Sequence, residues 1–175
     1  MSGSEPGTGA RGRDPEPRGE PSSPAPGESR AAGTVTALSH LAIAVREADP
    51  LAAVLVAALG AIRGAEELVD EGALRVVFLH LGPITVELLE PRTPSHTVAR
   101  FLETRGPGLH HVSFEVADLE RALSQCRMAG VRLIDETPRS GACGTRVAFL
   151  HPKSLGGVLV ELCEGGFRSG PRVER

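Results

Sequence analysis

Leu109-His-His-Val-Ser-Phe-Glu-Val116 decides how this chain is read, because Leu38-Ser-His-Leu-Ala-Ile-Ala-Val45 closely repeats it seventy-one residues earlier. In each copy a histidine opens an alternating apolar strand. About fifty residues further on, each is followed by a second alternating strand with a glutamate, Val86-Glu-Leu88 and Val160-Glu-Leu162. Two copies of one unit are the first expectation, since self-similarity at a fixed spacing marks a duplicated structural unit.

Working outward, each copy reads as strand, helix and three strands. In the first, Asp49 and Pro50 predict a helix start, with Asp49 as cap. Leu51, Val54, Leu55, Ala58 and Leu59 recur at helical spacing until Gly60. Strands follow near 62–69, at 74–81 and at 84–89, with Gly72 and Gly82-Pro83 at the turns. In the second copy, Asp118 caps a helix with Leu119, Ala122, Leu123 and Cys126 on one stripe, ending at Gly130. Strands are expected at 131–134, 145–150 and 158–162. The resulting organisation is a first βαβββ module over 34–92, a linker helix within 93–107 with Val98, Phe101 and Leu102 inward, and a second βαβββ module over 108–164. Residues 1–33, with seven Gly and six Pro, predict a disordered tail, and 165–175 a short flexible one. The fold class is α+β.

Composition narrows the function. A net charge of −3 provides no basic surface for nucleic acid, and five Phe with no Trp or Tyr provide little for base stacking. No apolar run is long enough to span a bilayer, and no charged start followed by an apolar segment marks a secretory leader. Glu5, Asp14, Glu16, Glu20 and Glu28 argue against an organelle-targeting segment. The cysteines Cys126, Cys143 and Cys163 are odd in number and lack metal-like spacing, so a reducing cytoplasmic setting is expected.

Strand parity supplies the chemistry. Thr85, Glu87 and Leu89 face away from Val86 and Leu88, and Glu161 faces away from Val160 and Leu162. His111 lies on the face of Ser113 and Glu115, while His110 goes with the apolar face of Val112, Phe114 and Val116. If the two concave faces meet, His40, Glu87, His111 and Glu161 converge. Two imidazoles and two carboxylates form a nitrogen and oxygen donor set for a divalent cation, which would offset the cost of burying those charges. Between the strands expected at 131–134 and 145–150, Arg139-Ser-Gly-Ala-Cys-Gly144 is a loop in which Gly141 and Gly144 can bring backbone donors near a ligand.

Four segments carry a family resemblance. They are Ser39-His-Leu-Ala-Ile-Ala-Val45, Leu81-Gly-Pro-Ile-Thr-Val-Glu-Leu-Leu-Glu-Pro91, Gly108-Leu-His-His-Val-Ser-Phe-Glu-Val116 and Phe149-Leu-His-Pro-Lys-Ser-Leu-Gly-Gly-Val-Leu-Val-Glu-Leu162. Over residues 36–164 the chain resembles the methylmalonyl-CoA epimerase family of the vicinal oxygen chelate superfamily. The double histidine and the His-Pro-Lys-Ser segment are the more specific of these features. The resemblance implies tandem βαβββ modules forming a cupped mixed sheet, a homodimer, and a divalent metal (cobalt, zinc, manganese or nickel) on His40, Glu87, His111 and Glu161. It makes His110 structural or supporting. It also implies inversion of the α-carbon of a CoA thioester through an enolate, with Glu161 as one acid/base.

The second acid/base position, glutamate in some members, matches Arg75, which stays protonated and either anchors the substrate carboxylate or points to solvent. Glu115 stands about 13 Å along the strand from His111, too far for proton transfer. Lys153 is a candidate for a carboxylate or phosphate oxygen at the pocket mouth, and His151 for bracing its turn. The alternatives are another metal-dependent member of the superfamily, a glyoxalase-like lyase or a dioxygenase, and a non-catalytic ligand-binding protein on the same scaffold.

Overall fold

The computed structural model describes residues 34–165. The expected tails, 1–33 and all but the first residue of 165–175, lie outside the described residues. The elements are β1 (Val35–Ala44), α1 (Ala48–Leu59), β2 (Ile62–Val69), β3 (Leu74–Leu81), β4 (Ile84–Pro91), α2 (Thr97–Arg105), β5 (Gly108–Val116), α3 (Leu119–Met128), β6 (Arg139–Ser140), β7 (Arg146–Leu150) and β8 (Val160–Glu164). They build one mixed eight-stranded sheet in the order β2-β3-β4-β1-β5-β8-β7-β6. The two repeats meet at its centre, where β1 and β5 pair antiparallel. Within each half, the histidine strand runs parallel to the glutamate strand, β1 with β4 and β5 with β8. This places one histidine and one glutamate of each half close to the central seam. The outer ends of the sheet approach each other as well, since the Cys143 N–H donates to Glu67 Oε2 at 2.7 Å, curling the sheet into a cup.

Alternation along the strands divides the apolar residues between two faces. On the convex face, Val77, Leu79, Val86 and Leu88 pack under Ala48 and Ala52 of α1 in the first half. Leu162, Val160, Ala148 and Leu150 pack under Leu119, Ala122 and Leu123 of α3 in the second. The concave face of the first half is covered by α2, whose Val98 and Leu102 insert among Ala42, Ala44, Leu74, Val76, Phe78 and Leu89. Burying each such aliphatic side chain contributes about 1.5–3 kcal/mol. The inward set expected for this helix is realised in Val98 and Leu102, with Phe101 partly buried against them.

Three local expectations are corrected. Asp49 is not the cap of α1: the N-cap residue is Glu47, without a side-chain bond, and the free Ala48 N–H is taken by Glu90 Oε2 across the sheet at 2.8 Å. Asp118 does cap α3, accepting from the Arg121 N–H. The strand expected at 131–134 reduces to a single bridge, Leu133 to Leu150. Its ladder ends because the Asp135 carboxylate, not a backbone carbonyl, takes the Phe149 N–H at 2.9 Å, and Pro138 follows without a donor of its own. The third correction concerns β5. Ala42 pairs with His111 but Ile43 pairs with Leu109, so a bulge at His110 removes that residue from the alternation.

Candidate metal centre and active-site cleft

The seam brings the repeated side chains together. His40, Glu87, His111 and Glu161 are all buried, with 4–6% of their surface exposed. His40 Nε2 and His111 Nε2 lie 3.2 Å apart. Glu161 approaches both, with Oε1 3.4 Å from His40 Nε2 and Oε2 3.8 Å from His111 Nε2. One donor atom from each of these three residues falls within a 4.8 Å span. Glu87 reaches the cluster from the other edge of the imidazole, its Oε1 3.5 Å from His40 Nδ1. Glu87, His40 and Glu161 line one small hollow of about 30 Å3 with Ala142, Thr145, Val147 and Cys163, room for about a single water or ion.

The electrostatics suit a cation. Burial pushes Glu87 up to about 8, with the Glu161 carboxylate adding to the effect. Burial also raises Glu161 to about 7 against the opposing influence of the Ser113 hydroxyl, which donates to Glu161 Oε1 at 2.7 Å. His40 falls to about 4 through burial, and His111 falls well below its ordinary value through burial and the neighbouring His40. Neutral imidazoles with free lone pairs beside two carboxylates that lack a buried counter-charge are the donor chemistry a divalent cation satisfies.

His110 departs from its expected place on the packed face. The bulge turns its ring onto Phe101 of α2, with centroids 4.9 Å apart, and its Nδ1 lies 2.9 Å from His111 Nδ1. If His111 offers the lone pair of Nε2 to a cation, its Nδ1 carries the proton and donates it to His110. No periodicity in the sequence signalled the bulge.

A larger cleft of about 660 Å3 opens beside His111. Phe149, Leu159 and Ile134 form its apolar wall, Asp135 and Arg139 stand on one side, and Asp70 and His96 on the other. His96 caps α2 by accepting the Val98 N–H at Nδ1, which leaves Nε2–H to donate to Asp70 at 3.0 Å. A second hollow of about 440 Å3 shares His110, His111, Ile134 and Leu159 with the cleft and continues past Arg105, His151 and Pro152.

The substrate-contact candidates fare differently. Arg75 is corrected: it lies on the convex side, where its guanidinium bonds Asp49, Glu66 and Glu90 at 2.7–3.3 Å. Pairing with Glu90 gives it the parity opposite to Phe78 and Glu87, so it faces α1 and not the cup. Gly141 is needed for packing, because a Cβ there would meet Thr145 Oγ1 at 2.6 Å, and its N–H is taken by the Thr145 carbonyl. Gly144, at φ 72°, completes the turn in which Cys143 is also left-handed and donates to Glu67. This loop closes the sheet over the small hollow. Lys153 is exposed, and His151 braces its turn by accepting the Lys153 N–H at Nδ1. Glu115 lines neither cleft nor hollow.

A sequence profile of the Glyoxalase/Bleomycin resistance protein/Dioxygenase superfamily matches residues 39–149. The chain is 38% identical over 126 residues to the mitochondrial methylmalonyl-CoA epimerase of Homo sapiens, covering 71% of this chain and 72% of that protein. It is 39% identical over 127 residues to the ethylmalonyl-CoA/methylmalonyl-CoA epimerase of Cereibacter sphaeroides, covering 71% and 95%. The crystal structure of methylmalonyl-CoA epimerase from Mycobacterium tuberculosis superposes with a TM-score of 0.73 at 35% identity, covering 81% of this chain and 95% of that one. With its duplicated units, paired histidines and cupped sheet, the chain belongs to the methylmalonyl-CoA epimerase family of the glyoxalase/bleomycin resistance protein/dioxygenase superfamily.

Proposed function

We propose that the chain is an epimerase that inverts the α-carbon of methylmalonyl-CoA by moving one proton. The observation that carries this reading is the convergence of His40, His111 and Glu161, with His111 also lining the cleft, in a chain of this family. We infer that these three residues hold a divalent cation, with Glu87 as the fourth ligand because it is buried in the same hollow and its nearby charges are carboxylates. A bound cation would supply positive charge to the substrate oxygen that becomes negative when the α-proton leaves.

Glu161 takes the proton. Its carboxylate stands at the cluster with one oxygen fixed by the Ser113 hydroxyl, in position to accept the α-proton. Phe149, Leu159 and Ile134 keep water from the reacting carbon. Inversion needs a proton from the opposite face. The acids lining the cleft outside the cluster are Asp70, bonded to His96, and Asp135, and proton return falls to one of them. The CoA arm is assigned to the second hollow, with Lys153, the neighbour of Pro152 in its lining, for a phosphate oxygen.

No helix among the described residues is long and apolar enough to cross a membrane. From the free Cys126, Cys143 and Cys163 we infer a reducing cytoplasmic setting. We also infer a homodimer: β2 is an edge strand, and Ile62 on it and Val54 and Leu59 on α1 expose more than half of their surface. Light scattering at twice the 18.3 kDa chain mass would support that assembly.

The test of the reaction uses cobalt-loaded protein and a single epimer of methylmalonyl-CoA in deuterium oxide, followed by proton NMR. The α-proton should wash out while the second epimer appears. Loss of neither proton nor configuration with cobalt, zinc, manganese or nickel would overturn the assignment. Exchange without inversion would retain Glu161 as base and place the fault in proton return.

A further inference from the structure

We propose that Arg139 binds the free carboxylate of the acyl group and so selects malonyl-type thioesters over simple acyl thioesters. The inference rests on the epimerase reading above and assigns to Arg139 the anchoring role that the sequence offered to Arg75. Among the described residues lining the cleft, Arg139 is the one arginine or lysine. Its guanidinium stacks on Phe149 with Cζ 5.1 Å from the ring centroid. Phe149 in turn meets His111 edge to face at 5.1 Å. Arg139 is thus connected through one ring to the metal cluster.

Its orientation is also held. Asp135, fixed by the Phe149 N–H at 2.9 Å, accepts from Arg139 Nε at 3.4 Å. Only Nε is engaged in that pair, and the two terminal nitrogens make no ion pair with the described residues. A guanidinium secured at Nε and by stacking, with both Nη groups free, presents the fork that fits a carboxylate in bidentate fashion. Arg75 offers no such fork, because its Nη groups are already bonded to Asp49, Glu66 and Glu90.

The position in the cleft identifies the anion. Arg139 lines the main cleft beside His111 but not the second hollow, where Arg105 is the cation and where the CoA arm is assigned. The anionic group within reach of the metal end is therefore the acyl carboxylate, not a CoA phosphate.

Titration calorimetry on cobalt-loaded wild type, Arg139→Ala and Arg139→Lys compares methylmalonyl-CoA with isobutyryl-CoA, which carries a methyl in place of the carboxylate. Wild type should prefer methylmalonyl-CoA. Arg139→Ala should lose at least about tenfold for methylmalonyl-CoA and keep its affinity for isobutyryl-CoA, with Arg139→Lys between them. In turnover, KM should rise more than kcat falls. Equal losses for both ligands, or no loss for either, would overturn the proposal. An inverting wild type with an unchanged Arg139→Ala refutes Arg139 alone. A wild type that discriminates through Arg139 yet neither exchanges nor inverts refutes the epimerase reading alone. Failure of wild type to bind either thioester refutes both.

Discussion

The two halves of the sheet carry the same pair of site residues, a histidine on the inner strand and a glutamate on its parallel neighbour, and then diverge in what covers their concave faces. In the first half, Val98 and Leu102 of α2 fill the cup with an apolar plug. In the second, the corresponding space is left as a cleft walled by Phe149, Leu159 and Ile134 with Arg139 at its side. The difference assigns separate tasks to a duplicated unit. On the proposed assignment the first half contributes two ligands and stability, and the second contributes two ligands, the base and Phe149, Leu159 and Ile134 of the cleft. Glu161 and Glu87 show the same asymmetry: Glu161 stands at the shared point and accepts from Ser113, whereas Glu87 faces the outer nitrogen of His40.

Changing Glu161 to Gln should break the second half most severely. Exchange of the α-proton is expected to fall by about 100- to 10,000-fold, the range associated with a lost acid/base group, with cation affinity falling as well. Glu87→Gln in the first half keeps an oxygen donor and should reduce affinity without removing the base, so exchange at saturating metal should stay far above that of Glu161→Gln. Equal losses in the two variants would erase the distinction between the halves.

Next in size is the plug. Leu102→Ala should destabilise the protein by about 2–5 kcal/mol in urea unfolding while leaving the folded protein's metal stoichiometry unchanged. A loss of metal with no loss of stability would show that α2 belongs to the site and not to the core.

His110 tests the support given to His111. His110→Ala should weaken the cation about 10- to 100-fold, and His110→Asn, whose amide oxygen can still accept from His111 Nδ1, should recover much of that loss. Identical affinities for the two variants would remove the hydrogen bond from the account.

The smallest expected effect is at Arg75. Arg75→Ser should leave metal affinity and epimerisation near wild type, because the residue faces α1. Its consequence is instead seen in acid. The Arg75 and Arg63 guanidinium groups hold Asp49 down to about 2 from 3.8. A depressed carboxyl contributes stability that is full above its unfolded value and is lost as pH falls towards about 2. Removing Arg75 should therefore flatten the acid limb of thermal stability between about pH 4 and pH 2, a difference readable by circular dichroism melts. A loss of turnover at neutral pH in folded protein would return Arg75 to the cleft.

Much of this arrangement was legible in the residues. The repeat at His40 and His111 exposed the duplication, and alternation around Glu87 and Glu161 selected the inward side chains, because a strand's period of two leaves no freedom once one face is apolar. What escaped had identifiable physical causes. His110 is the bulged residue, and a one-residue insertion is invisible to parity. Asp49 has the chemistry of a cap but is drawn to Arg63 and Arg75, leaving Glu90 from a distant strand to take the Ala48 N–H. The short strand before Arg139 is cut off by Asp135 taking a bond that backbone would have made. The resemblance leaves Arg75 either anchoring the substrate carboxylate or facing solvent, and its register opposite Glu90 turns it towards α1. Arg139 was visible only as the opening residue of a glycine loop, since its stack on Phe149 depends on the pairing of β6 with β7.

The central claim is that one cation is shared by both halves. Metal content per chain, measured by inductively coupled plasma mass spectrometry after equilibrium dialysis against cobalt, tests it most directly. The wild type is predicted to hold one ion per chain, and that ion should be lost equally when either half is disarmed, by His40→Ala with Glu87→Gln or by His111→Ala with Glu161→Gln. Two ions in the wild type, or full occupancy in either disarmed protein while it remains folded, would contradict it.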